Sequence, residues 1–211
     1  MRCGGIVLTG GKSSRMGTSK AMLPFGPELM LQRIVRLLGQ VVEPIAVVAA
    51  ADQPLPPLPS GIIVAHDRRP ERGPLEGLAA GLAALEGGVE AAYATSCDVP
   101  LLAPDFVGRL IALAGDFDVV VPRTGGYHHP LAALYRLSVR PHIEALLAED
   151  RLRPVFLFER VRAREVSAEE LTDVDPALDT LKNLNYPEDY RAALAQAGFG
   201  EKEEGGRRKE E

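Results

Sequence analysis

The sequence predicts an α/β protein with an open, mostly parallel sheet and helices on both faces of that sheet. Apolar runs of strand length alternate with helix-length segments along the chain, which is the pattern of repeated strand–helix–strand units. Polar clusters follow several of these runs, where a parallel sheet places its ligands. With 211 residues the chain can bury one substantial core. We expect a single domain over residues 1–199 and a charged, disordered tail over 200–211.

The individual elements follow from local patterns. Strands are predicted where apolar runs are bounded by turn residues, at Gly4–Thr9, Pro44–Ala50, Gly61–Ala65, Ala91–Ser96 and Asp118–Pro122, with His129–Tyr135 also extended. Helices are predicted from helical spacing of apolar residues or from proline in a first turn, at Glu28–Gly39, Pro74–Leu85, Pro104–Ala114, Val139–Ala148 and Pro187–Ala197. Asp52–Ser60 carries four prolines and predicts a loop.

Composition excludes several classes of protein. The formal net charge of -5 argues against general nucleic-acid binding, which needs a strongly basic face. The sequence contains no apolar stretch of 18 residues and no signal-peptide pattern, so we expect no membrane association. Cys3 and Cys97 form no CxxC pair and predict reduced thiols in a cytoplasmic protein, with Cys97 a small buried residue rather than a nucleophile.

The stretch "LTGGKSSRMGTSK" follows the first predicted strand and suggests an anion site. Gly10 and Gly11 allow the backbone to approach a ligand and to turn N–H groups toward it. Arg15 and Lys20 add a planar guanidinium and a mobile ammonium group. The loop is neither a Walker A motif nor GxGxxG. A solvated turn with surface cations is the alternative, but the two cations after a first strand favour the anion site.

Two aspartates follow other predicted strands. Asp98, in "ATSCDVPLL", suits Mg²⁺, which takes one or two protein carboxylates together with phosphate oxygens and water. Taken alone, however, Asp98 is better explained by a turn or a helix cap. Asp67, in "AHDRRPERGPLEGL", could accept hydrogen bonds from a base or a sugar, or could belong to a surface turn.

Two further segments carry polar groups. "YHHPLAALYR" places His129 before a proline, with no companion spacing that would indicate zinc, so a polar substrate contact or a structural turn is favoured. "LKNLNYPEDY" alternates Asn183 and Asn185, which therefore face the same way in an extended segment. A capping role for this segment explains its proline and acids but not Asn183.

Five segments together resemble the molybdenum cofactor guanylyltransferases, within the nucleotidyltransferases that have a three-layer, Rossmann-like fold. "LTGGKSSRMGTSKAML" resembles the family pattern LxGGxSxRMGxDKxLL, "GPLEGLAAGL" its GPLAGL, "TSCDVPLL" its CDxPFL, "HHPLAALY" its HPLxxLW and "NLNYPEDY" its NxNTPEDL. The matches keep their order from about Gly4 to Tyr190. Any one of them is weak, but five in order are specific.

The resemblance implies an enzyme that transfers GMP from MgGTP to the phosphate of molybdopterin cofactor and releases pyrophosphate. It implies further partners as well: cofactor-insertion proteins and molybdoenzymes. Arg15 and Lys20 would hold the triphosphate, and Asp98 would bind Mg²⁺. The other implied contacts are to the nucleoside, by Leu8, Thr9, Gly10, Gly11 and Asp67, and to the pterin phosphate side, by His129, Asn183 and Asn185.

The sequence departs from the family pattern at three places. Ser19 replaces the acid before the loop lysine, the stretch "VVAAAD" lacks the asparagine often found after the second strand, and Tyr186 replaces a threonine. These departures leave the nucleotidyltransferase interpretation intact but weaken the argument that the donor is GTP. The alternatives are a related enzyme that makes a cytidylyl cofactor or a nucleotide sugar, and a non-catalytic module that delivers the cofactor.

Overall fold

A computed structural model describes residues 1–10, 19–69 and 72–200. Its main sheet has the order β10-β7-β9-β6-β1-β4-β5, with β8 pairing with β7, and β2 and β3 form a separate small hairpin. The strands are β1 Cys3–Leu8, β2 Pro24–Phe25, β3 Glu28–Leu29, β4 Ile45–Ala49, β5 Ile63–His66, β6 Ala91–Ser96, β7 Val119–Thr124, β8 Tyr127–His128, β9 Ala132–Arg136 and β10 Ala163–Val166.

Helices connect these strands. They are α1 Met30–Leu38, α2 Pro74–Ala84, α3 Pro104–Ala112, α4 Arg140–Ala148, α5 Val155–Phe158 and α6 Pro187–Gln196, with short 3-10 turns at Lys20–Met22, Leu137–Val139 and Asp179–Leu181. The pairs β1–β4, β1–β6, β4–β5 and β7–β10 are parallel. Strand β9 runs antiparallel to both of its neighbours, β6 and β7.

The sheet separates two apolar cores because successive side chains of each strand point to opposite faces. On one face, Val7 and Val47 pack with residues of α1 and α3. On the other face, Ile6 and Ala46 pack with residues of α2, α4 and α5. The prediction of a mostly parallel sheet covered by helices on both faces is therefore confirmed.

Some predicted boundaries were wrong. The helix predicted from Glu28 begins at Met30, because Glu28 and Leu29 pair with Phe25 and Pro24 as a two-residue strand. The edge strand β10 and the short helix α5 were not predicted. Asp52–Ser60 forms no helix or strand, as expected. The predicted tail lies outside the described residues beyond Gly200.

Helix α2 lies close to β1 because its glycines present no side chain to that strand. A Cβ atom on Gly81 would lie 2.6 Å from Cγ2 of Ile6, which is fully buried. We expect Gly81→Ala to lower the free energy of unfolding by about 1–3 kcal/mol, as overpacking does. Urea unfolding would measure it.

Gly108 in α3 provides the matched control. A Cβ atom there would have no heavy atom within 4 Å, so Gly108→Ala gains helix propensity without a clash. We expect this variant to be more stable by about 0.5–1 kcal/mol. Equal effects of the two substitutions would show that close packing of α2 on β1 does not set the cost.

Candidate functional site at the carboxyl edge of the sheet

Lys20 and Asp98 form the centre of a polar cluster at the carboxyl end of β6. The Lys20 Nζ lies 2.7 Å from Asp98 Oδ2, and the two side chains are 19% and 13% exposed. The 3-10 turn at Lys20–Met22 carries the lysine, and the turn after β6 carries the aspartate. The ion pair thus joins two residues that lie 78 positions apart in the sequence.

Both asparagines of the predicted segment reach this ion pair. Asn183 Nδ2 donates to Asp98 Oδ1 at 3.0 Å, and Lys20 Nζ donates to Asn185 Oδ1 at 3.5 Å. Each asparagine thus contacts one member of the pair, Asn183 the aspartate and Asn185 the lysine. The backbone N–H of Leu184 donates to the carbonyl of Asp98 at 2.9 Å, which fixes the asparagine segment against the β6 turn.

The donor set around Asp98 is compatible with Mg²⁺. Oδ1 accepts hydrogen bonds from Ser96 Oγ and Asn183 Nδ2, whereas Oδ2 is paired only with Lys20 among the described residues. No group of three or more metal-ligating side chains occurs within the described ranges. If Lys20 bound phosphate instead, Asp98 Oδ2 would be a single carboxylate ligand for a cation whose other ligands are phosphate and water.

The ends of β1, β4 and β5 form a second part of the same edge. Leu8 is buried, and its carbonyl accepts from the Cys97 N–H at 3.0 Å, which ties β1 to the turn that carries Asp98. Thr9 donates its N–H to Val48 O at 2.9 Å. A Cβ atom on Gly10 would lie 3.8 Å from Asp67 Oδ2, so Gly10 and Asp67 face each other.

Asp67 in this second part has a perturbed pKa. Burial, together with the charge of the nearby Glu76, raises the pKa of Asp67 above its ordinary value. Its Oδ1 is buried and has no hydrogen-bond partner among the described residues. An unpaired buried acceptor costs free energy unless a donor arrives, so this atom is suited to an N–H or O–H group of a ligand.

We expect Asp67→Asn to raise the midpoint of thermal unfolding at pH 7 while it weakens nucleotide binding. A carboxyl with a raised folded-state pKa is most favourable when protonated, so its ionised form lowers stability as the pH rises above 3.8, the ordinary aspartate value. The stability gain of the variant should therefore disappear as the pH falls toward that value. Thermal unfolding across this range would measure it.

Glu76→Gln tests the same cause from the other partner. Removing the neighbouring charge should lower the Asp67 pKa. The pH-dependent stability gain from Asp67→Asn should therefore be smaller when it is made in the Glu76→Gln variant than when it is made in wild type. A gain that is the same at every pH would rule out ionisation of Asp67 as its origin.

His129 and Cys97 have more limited environments. His129 Nε2 lies 2.7 Å from Thr124 Oγ1, and burial, with His128 beside it, lowers the pKa of His129. Since β9 is antiparallel to β6, His129 reaches the same edge of the sheet, but its contact is with Thr124 rather than with Asp98. Burial raises the pKa of the Cys97 thiol to about 12, so Cys97 is not a thiolate.

Two predicted residues, Gly11 and Arg15, lie outside the described residues. Sequence reasoning also missed one contact at this edge, made by Gln53, whose side chain bonds to Thr9 and Ser19. No motif marks Gln53, because it lies in the proline-rich loop after β4.

The sheet order and the polar cluster at its carboxyl edge are those of a Rossmann-like fold with a candidate ligand site where the parallel strands end. The structure superposes with TM-score 0.75 on molybdopterin-guanine dinucleotide biosynthesis protein A from Archaeoglobus fulgidus, at 20% identity, covering 94% of this chain and 99% of that one. It superposes with TM-score 0.65 on 2-C-methyl-D-erythritol 4-phosphate cytidylyltransferase from Thermus thermophilus, at 15% identity, covering 92% and 98%. At these identities the likeness concerns the fold.

Sequence comparison identifies the family. Residues 5–165 match the family described as MobA-like NTP transferase domain. A protein of Mycobacterium avium named probable molybdenum cofactor guanylyltransferase is 38% identical over 202 residues, which cover 93% of this chain and 97% of the relative. The chain belongs to the MobA-like NTP transferase family. Within the described residues, no helix is long and apolar enough to cross a membrane.

Proposed function

We infer that this protein transfers GMP from GTP to the phosphate of molybdopterin cofactor. The observation that carries the proposal is the Lys20–Asp98 ion pair, with Asn183 and Asn185 on it, beside the backbone of Thr9 and Gly10. Relatives named molybdenum cofactor guanylyltransferase, similar over most of their length, support this choice of substrates.

The chemistry needs positioning and charge stabilisation rather than a general base. A phosphate oxygen of the acceptor attacks the α-phosphorus of GTP, the bond from that phosphorus to the bridging oxygen of the β-phosphate breaks, and pyrophosphate leaves. Lys20 would release Asp98 and bind the phosphates, where its charge stabilises the leaving group. Mg²⁺, held by Asp98, would supply further charge neutralisation.

The remaining residues are assigned by their place along the edge. Leu8, Thr9, Gly10, Gly11 and Asp67 would contact the nucleoside, and Arg15 would join Lys20 on the phosphates. His129, Asn183 and Asn185 would lie on the acceptor side. A single domain over residues 1–199 and a cytoplasmic location remain part of the proposal, as do contacts with cofactor-insertion proteins and molybdoenzymes.

A nucleotide panel tests the proposal. The purified chain is supplied with molybdopterin cofactor, Mg²⁺ and one of GTP, CTP, ATP or UTP, and pyrophosphate release is measured together with the dinucleotide product. We expect release with GTP, dependent on both the acceptor and Mg²⁺. Release with CTP but not GTP would instead establish a cytidylyltransferase, and binding without release would establish a delivery module.

A further inference from the structure

Gln53 lies in the loop that follows β4, and its side chain connects two segments of the candidate site. Its Nε2 donates to the carbonyl of Thr9 at 3.1 Å and to Ser19 Oγ at 3.3 Å. Thr9 follows β1, and Ser19 immediately precedes Lys20. One half-buried amide therefore joins the described residues on either side of residues 11–18.

Backbone partners fix the orientation of this amide. The Thr9 carbonyl can only accept a hydrogen bond, so Nε2 must face it, and the Ala50 N–H can only donate, so Oε1 must face it, at 3.4 Å. In this orientation Gln53 Oε1 also lies 3.1 Å from the Thr9 hydroxyl, which lies 3.0 Å from Val48 O and can donate to either oxygen. The reverse orientation would place like groups against each other at both backbone contacts.

The hydrogen-bonding capacity of Gln53 is consequently used within the protein. Both Nε2 protons have acceptors, in Thr9 and Ser19, and Oε1 has donors in Ala50 and Thr9. Its backbone N–H also donates to Ala50 O at 3.1 Å, which holds the residue in a tight turn. A side chain engaged in this way orients its neighbours and has no donor left with which to read a base.

We propose that Gln53 is a positioning residue that sets the separation between the nucleoside end of the site, at Thr9 and Gly10, and its phosphate end, at Lys20. The kinetic test of this role rests on the proposed function, because it measures turnover of GTP. A transferase needs both ends placed correctly on one nucleotide, and a displacement of about 1 Å can cost about 100-fold in rate. Gln53 acts through Thr9 and Ser19, without touching the reacting atoms.

Gln53→Leu tests the proposal against Gln32→Leu. Gln32 is also a half-buried glutamine with a bridging amide, accepting from Leu29 N at 3.0 Å and donating to Pro57 O at 2.9 Å, but it contacts neither Thr9 nor Ser19. We expect kcat/KM for GTP to fall about 10- to 100-fold in Gln53→Leu, mainly through kcat, and to stay near wild type in Gln32→Leu. Equal kinetic effects in both variants, at matched loss of stability, would overturn the proposal.

Two more variants separate the contacts. Gln53→Glu keeps acceptors for the Ala50 N–H and the Ser19 hydroxyl but sets a carboxylate oxygen against the Thr9 carbonyl, so it tests the Thr9 contact and we expect a loss of kcat/KM like that of Gln53→Leu. Ser19→Ala removes only the link to the phosphate end and should have a smaller effect, with the double variant Gln53→Leu/Ser19→Ala no worse than Gln53→Leu alone. Additive effects of these two substitutions would contradict a shared contact.

Failure of the positioning role of Gln53 can be distinguished from failure of the proposed GMP transfer. If the wild-type chain releases no pyrophosphate from GTP, the proposed function fails, and the Gln53–Ser19 coupling is then read from the free energy of unfolding and from the affinity for MgGTP. Coupling in both measurements would support the positioning role, and its absence from both would overturn it.

Discussion

Replacing Asp98 with alanine is expected to lower turnover about 100- to 1,000-fold, the usual cost of removing one electrostatic contact to a transition state. The side chain accepts hydrogen bonds from Lys20, Ser96 and Asn183, and it is the carboxylate to which Mg²⁺ is assigned. Asp98→Asn should lose nearly as much activity, because an amide keeps the size of the side chain but neither its charge nor its affinity for a hard cation.

The matched control is Asp118→Asn. Asp118 is also an aspartate paired with a cation, Arg162, with Nε 3.1 Å from Oδ2, but it precedes β7 at the opposite edge of the sheet. Pyrophosphate release with GTP, measured over a Mg²⁺ series, should fall for Asp98 and not for Asp118. Normal turnover and an unchanged Mg²⁺ dependence in Asp98→Asn would remove Asp98 as the metal ligand.

Replacing Lys20 with methionine should lower kcat/KM for GTP to a similar extent, about 100- to 1,000-fold. Methionine fills the volume of the lysine stem, so the loss reflects the ammonium group. Lys20→Arg should recover only part of the activity, because a guanidinium has a different shape and cannot follow the phosphates as a mobile point charge. Steady-state kinetics with GTP, and GTP affinity without acceptor, would separate binding from chemistry.

Lys182→Met is the control for Lys20→Met. The Lys182 ammonium also lies 2.7 Å from an aspartate, Asp179, but Lys182 is 60% exposed and its partner is three positions away in the chain. Its removal should leave kcat/KM close to that of wild type, because the Lys182 ammonium donates to Asp179 rather than to a residue assigned to the nucleotide. If Lys20→Met kept both GTP affinity and rate, the assignment of Lys20 and the stretch after β1 to the phosphates would be wrong.

The sequence predicted those strands and helices whose apolar pattern is regular. Ala91–Ser96 was predicted with its observed bounds because all of its residues are buried. The edge strand Ala163–Val166 was missed because two of its four residues are charged, as edge strands often are: Glu165 pairs with Arg123 and Arg164 pairs with Glu170. From the sequence alone, the charged residues of such an edge strand are typical of a loop.

The residues of the candidate site that directly follow strands were predictable from the sequence. Asp67 and Asp98 follow strands of one parallel sheet, so the edge they share could be inferred before their surroundings were seen. The pairing of Lys20 with Asp98 could not be inferred, because no spacing rule links residues so far apart. Gln53 could not be found either, because its role depends on the fold of a proline-rich loop rather than on any motif.

The reversed direction of β9 has a consequence for how this enzyme class can diversify. A strand that runs against its neighbours begins where they end, so the segment 125–131, which contains β8 and leads into β9, lies at the carboxyl ends of β6 and β7. The residues proposed to contact the nucleoside, by contrast, belong to the ends of β1 and β5. Because His129 in this segment is proposed to face the acceptor, together with Asn183 and Asn185, we expect exchange of the segment to alter acceptor preference without altering the contacts proposed for GTP.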